Sequence, residues 1–423
     1  MKRKRGFKLI ASSVIVALVS QSLIGISQPK LVLAQDEENS CANIVSPLTP
    51  EEETYARTAW QYFLNNYQES TGFTNSFDGY PSGTLWDMGN YLMALNAARW
   101  LNFIDQADFD LRQNKFLASL SGLRLFEDSL PNKVYNTATG EMVDYGNNPV
   151  ERGIGWSALD IGRILAAFHV LRTCNPQYGE WLQSIIDRWA VERSIQDGYM
   201  FGAAVLEDGQ TLPVQEGRLG YEEYAARGYE LWGFAVPKAL SYEPFKIVEI
   251  YGVQLPVDTR RFQETNANNY VVSESYILDG IEFGFLGQQQ EYAERVFEVQ
   301  RRRYLATGQL TAVTEDNIDG APYFLYNTIF SNGNAWATIT EANELYREKR
   351  SISTQAALGW RYLFTERDYA QELFQVAIGL MSPDGGGFYA GLYEETNQPN
   401  KALTGNTNGL IMEILYYKAR GNQ

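Results

Sequence analysis

Between Gly217 and Gly233 the chain reads GRLGYEEYAARGYELWG, and two adjacent carboxylates, Glu222 and Glu223, open a helix between Tyr221 and Tyr224. Carboxyl groups at helix starts recur along the chain, at Asp87, Asp160, Glu274 with Asp279, and Glu341, and the loop TEDNIDG adds Glu315, Asp316 and Asp319. Aromatic side chains stand among them, including Trp86, Trp156, Tyr276, Tyr326 and Trp336. Paired carboxyls supply a general acid and a general base, and flat aromatic faces stack on sugar rings. Together they suit cleavage of a glycosidic bond, which needs two carboxyls flanking the scissile oxygen. The plain alternative is electrostatic: acids in a first helical turn are favoured by the helix dipole alone. Glu223 with Arg227, and Asp160 with Arg163, also have the spacing of ordinary helix-surface pairs. Context lifts Glu222 and Glu223, because their helix continues in small and aromatic residues on nearly every side. A desolvated carboxyl at such a helix mouth has the raised pKa a general acid requires, and adjacency leaves open which of the two acts.

The inventory excludes other chemistries. One histidine, His169, lies mid-helix among apolar residues, and there are two cysteines. A zinc site, a Ser-His-Asp triad and a Cys-His dyad therefore have no residues to build them, and no metal or cofactor is expected. A polysaccharide lyase is disfavoured on the same ground.

The helices that must carry these groups recur. GTLWDMGNYLMALNAARWL from Gly83, GIGWSALDIGRILAAFHVL from Gly153 and GNAWATITEANELY from Gly333 share Gly-x-x-Trp; helices at Tyr221, at Tyr276 and from Gly405 complete six. Each is apolar over most of its circumference, as a helix buried on several sides should be. More amphipathic segments alternate with them at 51–67, 108–125, 178–193, 290–305 and 367–381, with a sixth partner around 238–252 interrupted by Pro237, Pro244 and Gly252. Six inner and six outer helices predict an all-α (α/α)6 toroid, built as a single domain over residues 51–423. The long Gly-, Asn- and Asp-containing loops, rich in β-like aromatic runs, all precede inner helices. They crowd one end of the toroid, which is where the site is expected.

The amino terminus addresses the compartment. Five basic residues precede an apolar run and a Val32-Leu33-Ala34 ending, the pattern of a signal peptide over residues 1–34 cleaved after about Ala34, followed by a linker over 35–50. The run is broken by Ser12, Ser13, Ser20, Gln21 and Ser22, so membrane insertion is not expected. The stated net charge is −16, and loss of the segment's six basic residues leaves about −22. Such a surface repels nucleic acid and argues against a strongly polyanionic substrate. The expected protein is periplasmic or extracellular, with nothing demanding more than a monomer. In an oxidising compartment Cys41 and Cys174 read as one disulfide; the alternative is two unpaired buried thiols.

From about Tyr55 to Lys418 the chain resembles a bacterial domain family of unknown function within the six-hairpin glycosidase group. TLWDMGNYLMAL, GWSALDIGRILAA, GYEEYAARGYELWG and SESYILDGIEFG carry the likeness. More distantly it is similar to the glucoamylase-like family that contains endo-β-1,2-glucanases. There an inner helix begins with a Tyr-x-Glu element whose glutamate is the acid. The resemblance implies that Tyr221-Glu222-Glu223 is that element and Glu223 the acid, although Glu222 replaces the usual polar amide. For the base, Asp316 or Asp319 in the acidic loop is the first choice, with Trp86, Asp87, Trp156, Asp160, Tyr221, Glu274, Tyr276 and Trp336 as substrate-contacting candidates. The function expected is hydrolysis or transglycosylation of a neutral β-glucan-like polysaccharide. The alternative is a non-catalytic glycan-binding or export-associated protein on the same fold.

Overall fold

The computed structural model describes residues 41–265 and 267–422. The expected signal peptide and residues 35–40 of the linker lie outside the described residues. Helices α1 (Pro50–Asn66), α2 (Leu85–Trp100), α3 (Gln106–Gly122), α4 (Ala158–Cys174), α5 (Gly179–Arg188) and α6 (Tyr221–Glu230) come first. They are followed by α7 (Glu274–Phe283), α8 (Gln289–Thr307), α9 (Thr354–Leu363), α10 (Asp368–Ile378) and α11 (Gly405–Ala419). Six of them, α2, α4, α6, α7, α9 and α11, pack each on the next in chain order, and α11 returns to α2, so they close a ring. Their small residues allow the approach: a Cβ on Gly228 would collide with the Gly162 carbonyl across the α4–α6 contact. Helices α1, α3, α5, α8 and α10 alternate with the ring helices in sequence.

Two expected elements differ. Around 238–252 there is no outer helix. After a short loop the chain forms a hairpin, β3 (Phe245–Ile250) with β4 (Val253–Asp258), once β1 (Tyr199–Val205) and β2 (Thr211–Gln215) have made an earlier one. Pro244 and Pro256 oppose a helix, and Tyr251-Gly252, both at positive φ (50° and 75°), form the two-residue turn that matches strand twist. The fifth ring helix starts at Thr354, not near Gly333. Asn332-Gly333, at φ 48° and 89°, makes a second such turn between Phe330–Ser331 and Asn334–Ala335. The Trp336 and Glu341 segments therefore belong to loop structure rather than to a ring helix.

The loops ahead of the ring helices carry β5 (Glu315–Asn317), β6 (Phe324–Asn327) and β7 (Thr338–Ile339), which form one antiparallel sheet. A second is built from β8 (Ser351–Ser353), β9 (Tyr389–Tyr393) and β10 (Pro399–Leu403). Cys41 and Cys174 form the expected disulfide, with Cα atoms 5.6 Å apart, tying the start of the described chain to the end of α4. No helix among the described residues is long and apolar enough to cross a membrane.

A charged group sits inside the ring. Arg163 of α4 is fully buried and contacts Glu282 of α7 and Glu413 of α11, each at 2.5 Å, and donates to the Tyr224 hydroxyl of α6 and to Asn90 Oδ1 of α2. Burial lifts Glu413 well above the usual carboxylate range despite the opposing pull of Arg163, and its contact with Glu282 adds to the rise. Glu413 thus favours its protonated form, which brings the cluster's charge closer to balance with the one guanidinium. Replacing Arg163 by Met leaves two buried carboxyls without a counter-charge. Urea unfolding at neutral pH is expected to show a loss of about 3–5 kcal/mol. Adding Glu282→Gln and Glu413→Gln should recover part of it, which a mere packing defect would not allow.

Candidate active site

The path from Arg163 to the ring's open end runs through amides. Because Asn90 Oδ1 accepts from Arg163, its Nδ2 must donate, and it does so to Asn406 Oδ1 at 2.8 Å. Asn406 Nδ2 then faces Glu274, 3.2 and 3.1 Å from its two oxygens. Gln355 Nε2 donates to Glu274 at 2.9 Å, and Trp86 Nε1 lies on the same group while donating to Asn406 Oδ1. Burial pushes Glu274 up to about 7, against the downward pull of these donors and of Arg163. The donors all stabilise its anionic form.

Glu315 stands beside it on β5. It lacks comparable donors, and burial, with the Glu274 charge next, raises it well above the usual carboxylate value. The Tyr221 hydroxyl lies between the two carboxyls and interacts with both, yet makes no hydrogen bond of standard geometry. Around them are rings: Trp86 meets Tyr221 edge-on at 5.6 Å, Tyr221 meets Tyr270 at 5.9 Å, and Tyr270 stacks on Tyr326 at 4.6 Å.

A second carboxyl pair lies within electrostatic reach of Glu315. Glu216, after β2, caps the start of α4 by accepting from Ala158 N at 2.6 Å and from the Ser157 hydroxyl at 3.0 Å; burial raises it, while Lys133 and these donors oppose the rise. Asp160 shares the one Ser157 hydroxyl proton and gains no other side-chain donor of standard geometry. Burial first, then the charges of Glu216 and Asp87, push Asp160 up to about 8. The pattern repeats: burial raises all four carboxyls, and in each pair one member has donors that favour its charge while its neighbour has few.

The remaining expected residues stand elsewhere. Tyr221 and Glu223 are two apart on α6, about 200° around it, so they face different surroundings. Glu223 accepts from Gly220 N at 2.6 Å as a cap for its own helix, and lies toward Tyr276, Tyr242 and Tyr292. Glu222 pairs with Arg260 at 2.5 Å, and Arg260 also holds Asp258 at 2.5 Å, fastening β4 to α6. Asp316 points to the opposite side of β5 from Glu315 and meets the Ser353 hydroxyl at 3.3 Å. Asp319 accepts from the Tyr393 hydroxyl and the Lys401 amide, and is exposed. Trp156 is buried with Nε1 on the Phe201 carbonyl, Tyr276 is fully buried, and Asp87 closes a capping box on Thr84. Thus Trp86, Asp160, Tyr221 and Glu274 meet at the site; Glu222, Glu223, Asp316, Asp319, Trp156, Tyr276 and Trp336 serve other contacts, and Asp87 reaches it only by its charge. The sequence reading did not single out Glu216, Tyr270, Asn406 or Lys133. Glu216 had one usable signal, an acid just after a strand-like run and before the glycine-containing loop that leads to Tyr221.

The sequence profile of a family described as "Protein of unknown function (DUF3131)" matches residues 54–421. No curated protein matches the chain. Among solved structures, a proposed glucoamylase from Bacteroides caccae is 14% identical with a TM-score of 0.62, over 88% of this chain and 95% of that one. An endo-β-1,2-glucanase from Chitinophaga pinensis, in complex with sophorotriose and glucose, is 14% identical with a TM-score of 0.61, over 88% and 94%. An endo-β-1,2-glucanase from Talaromyces funiculosus with sophorose is 11% identical with a TM-score of 0.58, over 91% and 86%. At such identities the likeness establishes a shared fold.

Glu223 offers a test of its surroundings. Burial, then the Glu222 charge, raises it to about 8. The stability that comes from keeping it protonated is full below its unfolded value and is lost as pH rises through about 8. Glu223→Gln keeps the acceptor for Gly220 N and removes the titration. It should be more stable than the parent at pH 9 by about 2–4 kcal/mol, and much closer to it at pH 5, in chemical denaturation at the two pH values.

Proposed function

The chain belongs to this family of unknown function, and we propose that it is an exported glycoside hydrolase acting on a neutral β-glucan-like polysaccharide, with Glu315 as general acid and Asp160 as general base. The observation that carries the reading is the unequal treatment of the two carboxyl pairs. Glu274 and Glu216 have their oxygens occupied by donors and act by charge and position. Glu315 and Asp160 are the two left to exchange protons, on partly open positions flanked by Trp86, Tyr270 and Tyr326.

In the proposed reaction the glycosidic oxygen approaches Glu315, whose proton is held there by Glu274's negative charge and passes to the leaving sugar. Asp160, once ionised, takes a proton from the attacking water, and the anomeric carbon exchanges its bond to the leaving oxygen for one to that water. If a sugar hydroxyl attacks in place of water, the same groups carry out transglycosylation. The stacked tyrosines and Trp86 offer flat faces to sugar rings. The disulfide supports an oxidising compartment, and nothing in the reading requires more than one copy of the chain.

The test is a panel of linear and cyclic glucans, β-1,2-glucan among them, followed by new reducing ends and product size. Glu315→Gln and Asp160→Asn should each lower kcat by about 10²–10⁴ with the fold intact. Glu223→Gln should retain turnover. Because the base must be ionised and the acid protonated, kcat/KM is expected to rise with pH through about 8, the Asp160 value. A kcat/KM already at its maximum at pH 5 would remove Asp160 from the base role. Glycan binding without release from any member of the panel would replace the hydrolase by a non-catalytic binder.

A further inference from the structure

Away from the carboxyl cluster, a cavity of about 430 Å³ opens between three segments. Tyr251 contributes the turn of the β3–β4 hairpin, Arg303 the last turns of α8, and Arg347 and Arg350 the stretch ahead of β8. Trp336 lines it from a position two residues before β7. None of these groups takes part in the reaction proposed above.

The cavity is electropositive within an acidic chain. Its three arginines face two glutamates, Glu394 and Glu395, whereas the chain as a whole is −16. Glu394 is already consumed: Arg303 grips both of its oxygens, at 2.7 and 2.8 Å. Arg350 reaches it only at 3.9 Å, and the Arg350 Nε is buried with no hydrogen-bond partner. Arg347 is exposed and forms no ion pair with any described residue. Burial holds Arg350 below its usual range, and Arg303 and Arg347 add to the lowering against the attraction of Glu394. Two guanidiniums are thus left with donors to spare, and an anion between them would satisfy both.

The wall of the cavity is aromatic and held at a cost. Trp336 has φ 57°, a left-handed backbone that costs a bulky residue about 1–3 kcal/mol. Arg350 donates to its carbonyl, and Arg303 covers one side of the ring at 4.8 Å. Tyr251 stands 6.2 Å away at 47°, with 40% of its surface exposed. Strain kept in a loop whose neighbours fix it on both sides is the pattern of a ligand-contacting residue.

We propose that this cavity binds a sugar carrying a single anionic group, with the carboxylate or phosphate between Arg347 and Arg350 and the sugar ring against Tyr251 and Trp336. The sugar assignment rests on the glycan reading above, since β5–β6–β7, the sheet that presents Glu315 and Tyr326, continues into Trp336; the anion assignment does not. A chain of about −22 after loss of its leader repels a polyanion, but one isolated charge is accommodated by a local excess of arginine. The ligand is therefore a sparsely decorated glycan rather than a uronic-acid polymer.

The test is saturation-transfer NMR and calorimetric titration of the intact mature protein with glucose 6-phosphate, glucuronate, glucose and inorganic phosphate. Saturable binding of at least one charged sugar, with none of glucose, is expected, and the preferred sugar distinguishes phosphate from carboxylate. Arg347→Ala and Tyr251→Ala, both at exposed positions, should each weaken that binding about tenfold or more while the melting temperature stays unchanged. Binding should survive in Glu315→Gln, so loss of the hydrolase reading would leave this result standing. Inorganic phosphate binding as tightly as the sugars, with no effect of Tyr251→Ala, would overturn the sugar site. No saturation by either charged sugar up to about 10 mM would overturn the proposal altogether.

Discussion

A guanidinium with no access to water has to be answered by its neighbours, and Arg163 is answered by four ring helices at once. An unpaired buried charge costs several kcal/mol even after relaxation. Glu282, Glu413, Tyr224 and Asn90 therefore have to stay where they are, and with them the spacing of α7, α11, α6 and α2 around α4. Hydrophobic burial supplies the driving force for the ring, but it is not directional. The Arg163 contacts are directional, and they fix which helix faces meet.

The same residue sets the chemistry above it. Arg163 can only donate, so Asn90 has to turn its oxygen toward it, Asn406 has to turn its oxygen toward Asn90, and Glu274 receives the remaining amide hydrogens. That orientation favours a charge on Glu274, and a charge there holds the proton on Glu315. A parallel arrangement uses the start of α4, where backbone amides and Lys133 favour a charge on Glu216 against the rise that burial imposes, and leave Asp160 with few donors. The shared fold with endo-β-1,2-glucanases is compatible with this division of labour, while the particular carboxyls belong to this chain.

Much of the ring was legible because buried helices leave a plain trace: long apolar runs with Gly and Ala, opened at Gly83 and Gly153 by Gly-x-x-Trp. The two misread elements had local signals that tertiary periodicity masked. Asn332-Gly333 is a strong hairpin turn, and Phe245–Ile250 is too rich in β-branched residues and too close to Pro244 for a helix. The site was harder. Glu222 and Glu223 are as buried as expected, but burial does not say toward what, and one faces Arg260 while the other caps its own helix. Within TEDNIDG the acid at the cluster is Glu315, whereas Asp316 falls on the other face because strand residues alternate. Arg163 was read as a surface partner of Asp160 at i,i+3 spacing, and nothing local in the sequence reveals that it points into the ring. Glu216 escaped because its role depends on α4, more than fifty residues earlier.

The central claim is a distribution of protons: Glu274 charged, Glu315 protonated, with Arg163 as the origin of the difference. Neutron diffraction from crystals of the perdeuterated protein at a pD above about 7, the Glu274 value, reads that distribution atom by atom. The account predicts deuterium on a Glu315 carboxyl oxygen, none on Glu274, and both deuteriums of the Asn406 amide on the nitrogen that faces Glu274. Deuterium on Glu274 with a bare Glu315, or an Asn406 amide turned the other way, would contradict it.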